Sequence, residues 1–360
     1  QLKLKSFPYF FNPISEFSTS EKDTLLREKL SSATPLTVGF EALLARLIPL
    51  FMPKSYVEDF LKLRINALNT LPQKATSIFT ANAYHSDEMF KIWSAEKKSL
   101  GIPLIIGQHG GGFGVSLLEQ SEEHQVRISN NFMSWGWDSE LKDNIISLPS
   151  LQLSGRERIY HNQAGKILHV FSALPRYFYQ YSSMPVSGQY LLYIKDQINF
   201  LNALEKGILD NISIRLDESN PSRSWDTEKA LDVAGYSRLI NRSNARLLSL
   251  LNNSRLCICT NNFTVFLETL ALNFPTIIFW EPSHHEVRPN AAAFFDMLED
   301  AEILFYSADK AAKKVNDVSS NIDEWWFSDK IQSIRKQFCQ RYALVSDDWE
   351  HEWSNFLLTL

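Results

Sequence analysis

The chain has 360 residues, 44% hydrophobic and 21% charged, with a formal net charge of −5. That length fits two domains of about 150–200 residues each, and the composition is that of an ordinary globular protein. The charge excludes a global basic field for nucleic acid, and no apolar run approaches the ~20 residues of a membrane helix.

Three cysteines, Cys257, Cys259 and Cys339, form no disulfide framework and point to a reducing compartment. Cys257 and Cys259 are two apart in an apolar run, so a strand would turn both to one face as core. The first residue is Gln rather than Met, which leaves room for residues ahead of it, and no secretory signal is read in the chain.

Residues 1–34 show no clean period, and Phe7-Pro8-Tyr9-Phe10-Phe11 is an aromatic patch. Helical patterns follow over 36–51, stopped by Pro53, and over 56–71, with Val57, Phe60, Leu61, Leu63 and Ile65 apolar. Residues 75–79 read as a strand with an exit loop at 80–83. A helix over 86–100 follows, with Ser86 as N-cap and Gly101 as its stop. The next strand, 103–106, ends in Gly107-Gln108-His109-Gly110-Gly111-Gly112-Phe113-Gly114. This is a β-loop-helix-β unit of a parallel sheet. Short strands at 132–135 and 144–148 complete the first half.

The polar segment 151–165 reads as a domain seam. A second alternation then places strands at 166–171, 212–216, 256–259, 276–280 and 303–305. Helices are expected at 193–204, 226–233, 244–251, 264–272, 291–298 and 309–315, and a helical tail from 323. The fold class expected is α/β: two Rossmann-like domains facing across a cleft, with a helical N-terminal segment and C-terminal helices.

Chemistry-bearing residues gather at expected strand ends. A glycine-rich, His-bearing loop after a buried strand is either a tight turn or a ligand site. Asn82, His85, Asp87 and Glu88 crowd one strand exit, Gln108 and His109 another, and Glu119, Glu122, Glu123 and His124 follow in a loop. Carboxylates and imidazoles meeting there suit acid–base or nucleophilic chemistry. Taken singly, Asp87 and Glu88 are also favourable helix N-terminal charges, and the 119–124 group a solvated loop.

In the second half, Thr260, Asn261, Asn262 and Thr264 leave a strand and open a helix. Such an end binds an anion through backbone N–H groups, although Thr264 is equally a good N-cap. Glu268, one turn on, can accept two hydroxyl hydrogen bonds from a ribose or sit on a solvated face. Arg176 and Arg215 stand at strand ends and suit bidentate contacts to phosphate, and Arg288 lies on the same edge. His284-His285-Glu286 suggests a metal, but adjacent residues rarely share a ligand face, and no metal is expected. The motifs of a P-loop, a dinucleotide-binding glycine turn and a nucleophile elbow are all absent.

Several motifs occur in order. They are Phe79-Thr80-Ala81-Asn82, Asp87-Glu88-Met89-Phe90-Lys91-Ile92-Trp93, Ile106-Gly107-Gln108-His109-Gly110-Gly111 and Ser134-Trp135-Gly136-Trp137. Leu174-Pro175-Arg176-Tyr177, Ile214-Arg215-Leu216, Phe266-Leu267-Glu268-Thr269-Leu270-Ala271, Pro275-Thr276-Ile277-Ile278-Phe279-Trp280 and Trp325-Trp326 continue the series. Over about residues 75–330 this resembles bacterial O-antigen-cluster transferases. Those resemble GT-B glycosyltransferases and, more distantly, bacterial β-Kdo transferases. Ser129 departs where an acidic residue is expected, and Gly112 where a His is usual.

The resemblance implies an acceptor domain over 1–160, a nucleotide-sugar domain over 161–330, and helices over 331–360 that pack back toward the first. It implies a metal-independent glycosyltransferase of surface polysaccharide (O-antigen, lipopolysaccharide or capsule) synthesis, without a cofactor. Its partners would be a nucleotide-sugar donor and a glycan or lipid-linked glycan acceptor. The chain would be cytoplasmic, with peripheral association at the inner membrane. CMP-Kdo is the donor the Kdo-transferase likeness suggests, though no residue reads the base. Catalytic candidates are His109, Asp87, Glu88, Glu122 and His124. Substrate-binding candidates are Asn82, Gln108, Gly110, Gly111, Arg176, Arg215, Thr260, Asn261, Asn262, Thr264 and Glu268. Two alternatives stand beside this: a sugar-nucleotide 2-epimerase on the same fold, and a non-catalytic polysaccharide-assembly module.

Overall fold

The computed structural model describes residues 19–360 apart from 34, 36, 37, 157, 158, 160, 173, 179–181 and 217–224. The aromatic patch at 7–11 lies outside the described residues. The chain divides into two compact units, residues 1–106 with Leu360, and residues 107–359.

The first unit carries α1 (Thr24–Ser32), α2 (Phe40–Phe51), α3 (Phe60–Thr70), β1 (Ile78–Thr80), α4 (Ala83–Ser86), α5 (Glu88–Ser99) and β2 (Leu104–Gly107), whose last residue opens the second unit. Helix α2 ends at Met52, where its last carbonyls need donors. Arg27 supplies them, reaching the carbonyls of Pro49 at 3.0 Å and Met52 at 2.7 Å. The same buried guanidinium pairs with Glu58 at 2.6 Å and holds that carboxyl down at about 2. Strand β1 runs parallel to β2, with Ile78 opposite Leu104 and Thr80 opposite Ile106. The helix expected from 86 starts instead at Glu88, because Ser86 is used by the one-turn α4. Asp87 is the N-cap, its Oδ1 accepting the Phe90 N–H at 2.9 Å.

The second unit opens with α6 (Gln120–Ile128), β3 (Asn131–Ser134) and β4 (Ile145–Ser147), the two strands parallel. The group at 119–124, expected as a loop, is largely helical: Glu119 caps α6 by accepting the Ser121 N–H at 3.2 Å. Then come β5 (Lys166–Val170), α7 (Gln189–Ala203), α8 (Lys206–Leu209), β6 (Ile212–Arg215), α9 (Thr227–Val233), α10 (Leu247–Leu251), β7 (Ser254–Cys259), α11 (Thr264–Ala271), β8 (Thr276–Phe279), α12 (Pro289–Asp300), β9 (Leu304–Phe305) and α13 (Ala308–Val318). Three helices close the chain: α14 (Ile322–Trp326), α15 (Asp329–Tyr342) and α16 (Trp349–Leu358).

Five of these strands form one parallel sheet in the order β6-β5-β7-β8-β9. Their sequences are near-continuous apolar runs, as strands covered on both faces must be. Ile167, Ile214, Ile258 and Ile277 are fully buried at its centre. Cys257 and Cys259 are free thiols in this core, as their spacing implies. The α/β class and the parallel pairing are therefore those read from the sequence.

The connection between α15 and α16 and the α16 residue Trp353 hold residues 135–150. The Leu344 N–H donates to Trp135 O at 3.0 Å, and the Ser150 N–H to Leu344 O at 2.9 Å. Trp353 donates its indole N–H to Pro149 O at 2.8 Å.

Two histidines are sealed in the second unit. His169 on β5 bonds Gln197 at 3.0 Å, among the rings of Phe171, Phe200 and Phe279, and His285 packs against Trp280. Burial pushes each imidazole down to about 3. The unfolded chain, with His near 6.5, binds more protons over that interval. Their contribution to stability is thus complete above about pH 6.5 and is lost as pH falls toward 3. The urea midpoint is expected to drop between about pH 7.5 and about pH 5, above the carboxylate range. A flat midpoint over that interval would mean that neither ring is protected.

Candidate functional site

The site grows from the carboxyl edge of the five-stranded sheet. Val170, Arg215 and Cys259 end β5, β6 and β7 in one aligned row. From β5 the chain crosses to β6 on one side, and from β6 it returns past β5 to β7 on the other. At such a reversal the loops diverge and leave a crevice outside the strand ends. A cavity of about 250 Å³ lies there, lined by Val170, Phe171, Ser172, Arg215, Asn261, Phe263, Thr264 and Val265.

Helix α11 opens into this cavity. Its N-cap is Phe263, whose side chain makes no capping bond, so Thr264 is the first helical residue and not the cap its type also allows. The first-turn N–H groups thus lack a side-chain cap at a cavity that also holds a guanidinium. This pairing suits an anion.

A hydrogen-bond network fixes the cavity floor. Tyr193 on α7 accepts the Ser172 N–H at 2.7 Å and meets the Thr260 hydroxyl at 2.8 Å. Thr260 in turn donates to Val170 O at 2.8 Å, tying β7 to β5. Asn261 donates to the Ser172 hydroxyl, and its Oδ1 accepts the Phe263 N–H at 3.1 Å. Burial pushes the Tyr193 phenol far up, so it stays neutral. Asn262 is fully buried, and neither of its amide atoms has a hydrogen-bond partner. An unpaired buried amide costs free energy unless something else satisfies it.

The glycine loop lies directly on the start of α11. The Gly111 N–H donates to Thr264 Oγ1 at 3.1 Å. A Cβ on Gly111 would stand 2.5 Å from the Phe263 carbonyl oxygen, so only glycine permits this approach. Gln108 holds the loop's other end. Its Oε1 accepts the Trp135 N–H at 3.0 Å and the Trp137 indole N–H at 2.8 Å, while its Nε2 donates to Gly110 O at 2.8 Å. The His109 ring meets the Phe113 ring edge-on at 5.2 Å.

Glu122 is buried and fully engaged. It accepts the Gly114 N–H at 2.6 Å and a two-pronged pair from Arg288, both bonds 3.1 Å. Arg288 therefore anchors the loop. His124 lies on the exposed side of α6.

The remaining candidates are scattered. Arg176 does not line the cavity; it is exposed, over the rings of Trp225 at 5.4 Å and Tyr177 at 5.9 Å. Glu268 is buried one turn into α11, where Arg156 and Gln152 donate to it at 3.2 Å each. In the first unit, Asn82 is exposed ahead of α4, Asp87 caps α5, and Glu88 pairs with Lys91 beside the Tyr56 ring. Asp87 Oδ2 and Glu88 Oε2 are both buried without a hydrogen-bond partner.

Ser172 and Tyr193 belong to the site but stand outside the sequence candidates. Ser172 carried a signal, its place directly after a buried strand. Tyr193 carried none, since an aromatic in a helix reads as core. Among the described residues no group of three or more His, Cys, Asp or Glu is placed to hold a metal ion. Nor is any described helix long and apolar enough to cross a membrane.

Two solved structures are similar in outline. One is WaaG, a glycosyltransferase involved in lipopolysaccharide biosynthesis, at 10% identity and TM-score 0.42, covering 83% of this chain and 95% of that one. The other is Acinetobacter baumannii MurG, at 10% identity and TM-score 0.45, covering 86% and 80%. No curated protein matches the chain. Over residues 1–357 the sequence matches the family described as LIC12162 family transferase, and the chain belongs to that transferase family.

Proposed function

We propose that this transferase moves a sugar from a nucleotide-activated donor to a glycan acceptor in bacterial surface polysaccharide synthesis, on a GT-B architecture. The observation that carries the reading is the cavity where Arg215 meets the uncapped start of α11, at the reversal point of a parallel sheet. A cavity of about 250 Å³ encloses a phosphate and part of its attached groups; the rest of a nucleotide sugar lies outside it. Arg215 and the α11 N–H groups would hold the donor phosphate, and Asn262 would spend its unpaired amide on the donor. Glu268 would take the ribose after exchanging its bonds to Arg156 and Gln152.

Chemistry in this reading falls to His109 in the second unit, with Asp87 and Glu88 as the candidates within the first. The free buried oxygens of Asp87 and Glu88 support an acid or base role, and the occupied carboxylate of Glu122 supports a positioning role. Residues 1–160 would serve the acceptor, 161–330 the donor, and 331–360 would link back. Peripheral association with the inner membrane fits α2, whose Phe40, Leu43, Leu44, Leu47, Ile48 and Phe51 form one exposed helical stripe.

The test is a thermal-shift screen of the protein against CMP, UDP, GDP and their sugars, with CMP-Kdo first among the donors. A ligand at a hundred times its dissociation constant adds about 2.7 kcal/mol of apparent stability. Arg215→Gln is expected to weaken the responding nucleotide at least about tenfold, a loss of about 1.4 kcal/mol. If no nucleotide shifts the wild-type transition, the donor site does not exist.

A further inference from the structure

The second unit has another polar pocket, at the opposite edge of the five-stranded sheet. It has a volume of about 240 Å³ and is lined by His161, Gln163, Arg255, Ser319, Ser320, Asn321, Ile322 and Asp323. Arg255 lies near the start of β7, four residues before the Cys259 end that reaches the other cavity. The two pockets are thus separated by the length of the strand.

Arg255 and Arg335 are the two guanidinium groups among the described residues whose Nε is buried without a hydrogen-bond partner, and Arg255 is the one that lines a pocket. It is half-buried, and among the described residues no carboxylate forms an ion pair with it. Its Nη1 donates to Ser319 O at 3.2 Å, and its Nε is buried without a partner. Burial alone pulls its pKa down, with no carboxylate acting against that pull.

The acid in the pocket is already spent. Asp323 accepts from His161 at 2.6 Å through one oxygen and from Gln163 through the other. Ser319 and Asn321 are occupied as well. The Ser319 hydroxyl donates to Asn316 O, and the Asn321 amide bridges to Glu324. Arg255 is left without an ion-pair partner in a pocket whose one carboxylate, Asp323, is bonded to His161 and Gln163, and the exposed Ser320 lines the same pocket. A half-buried charge without a partner is costly, and a bound counter-charge would offset that cost.

We infer that this pocket binds a small oxyanion, phosphate or carboxylate, through the guanidinium of Arg255, at an accessory site distinct from the cavity at Arg215. The volume suits an inorganic or small organic anion and falls below the roughly 300–1,000 Å³ of sites that enclose larger ligands. A planar guanidinium with free N–H groups recognises either oxyanion through paired hydrogen bonds. The inference is independent of the donor reading, because it uses none of the same residues.

Isothermal titration of the full chain with inorganic phosphate, and separately with citrate, tests it. In an Arg215→Gln background, which removes the donor-phosphate contact proposed above, saturable one-site binding of either is expected, and the arm that responds identifies the anion class. Arg255→Gln is expected to weaken binding at least about tenfold, and Arg255→Lys to weaken it less, since the charge remains. Ser320→Phe, on an exposed turn, should block the pocket with the fold intact and guards against a misfolded Arg255→Gln. Failure of both anions to bind in that background overturns the inference. So does binding there that survives Ser320→Phe and Arg255→Gln.

Discussion

Gly111→Ala is expected to cost about 3 kcal/mol of stability and about a hundredfold in transferase turnover. The added methyl would sit 2.5 Å from the Phe263 carbonyl oxygen and 2.7 Å from the Phe263 Cα. These are backbone atoms at the start of α11, so no side chain can swing aside. Loop and helix must separate, and the 3.1 Å bond from the Gly111 N–H to Thr264 breaks with them. That moves His109 relative to the cavity at Arg215. Gly207→Ala is the control, because nothing lies within 4 Å of its added methyl. Urea midpoints of both variants decide the stability part. A Gly111→Ala protein as stable as Gly207→Ala would mean that the loop does not rest on α11.

Arg288→Met is expected to destabilise by about 3 kcal/mol, toward the low end for a broken buried pair because Arg288 keeps some solvent contact. The Glu122 carboxylate, buried beneath the loop, would keep only the Gly114 N–H. The double variant Glu122→Gln with Arg288→Met removes the stranded charge as well and should recover part of the loss. A double-mutant cycle therefore yields a coupling of about 1–3 kcal/mol. Additive single losses would show that the two side chains act separately. Turnover should fall in Arg288→Met even under conditions where the chain is folded, because the loop bearing His109 loses its anchor.

Both effects concern the same surface, where a glycine loop, an acidic helix and the first turn of α11 hold one another. Arg288 follows β8 and Glu122 sits on α6, yet their pairing fixes the loop between them. Leu344, between α15 and α16, and Trp353 on α16 act similarly on residues 135–150. Residues 107–160 accordingly belong to one compact unit with the chain that follows.

Sequence by itself determined the class of fold and most of its elements. Apolar runs of four to six residues, alternating with amphipathic stretches, specify buried parallel strands and covering helices whatever their partners. The same local logic placed Arg215, Asn261 and Thr264 at strand ends, and the cavity gathers those three. It could not separate Arg215 from Arg176, because both follow strands, and only the packing turns one into the cavity and lays the other over Trp225. It left Thr264 open between an anion-binding contact and a helix cap, whereas tertiary contact makes that hydroxyl the acceptor for Gly111. It listed Glu122 as a catalytic candidate, and the fold brings Arg288 to it from 166 residues away. Local pattern records what a residue can do within a turn or a strand. Which partner claims a hydroxyl or a carboxylate depends on distant segments meeting, and periodicity carries no record of that.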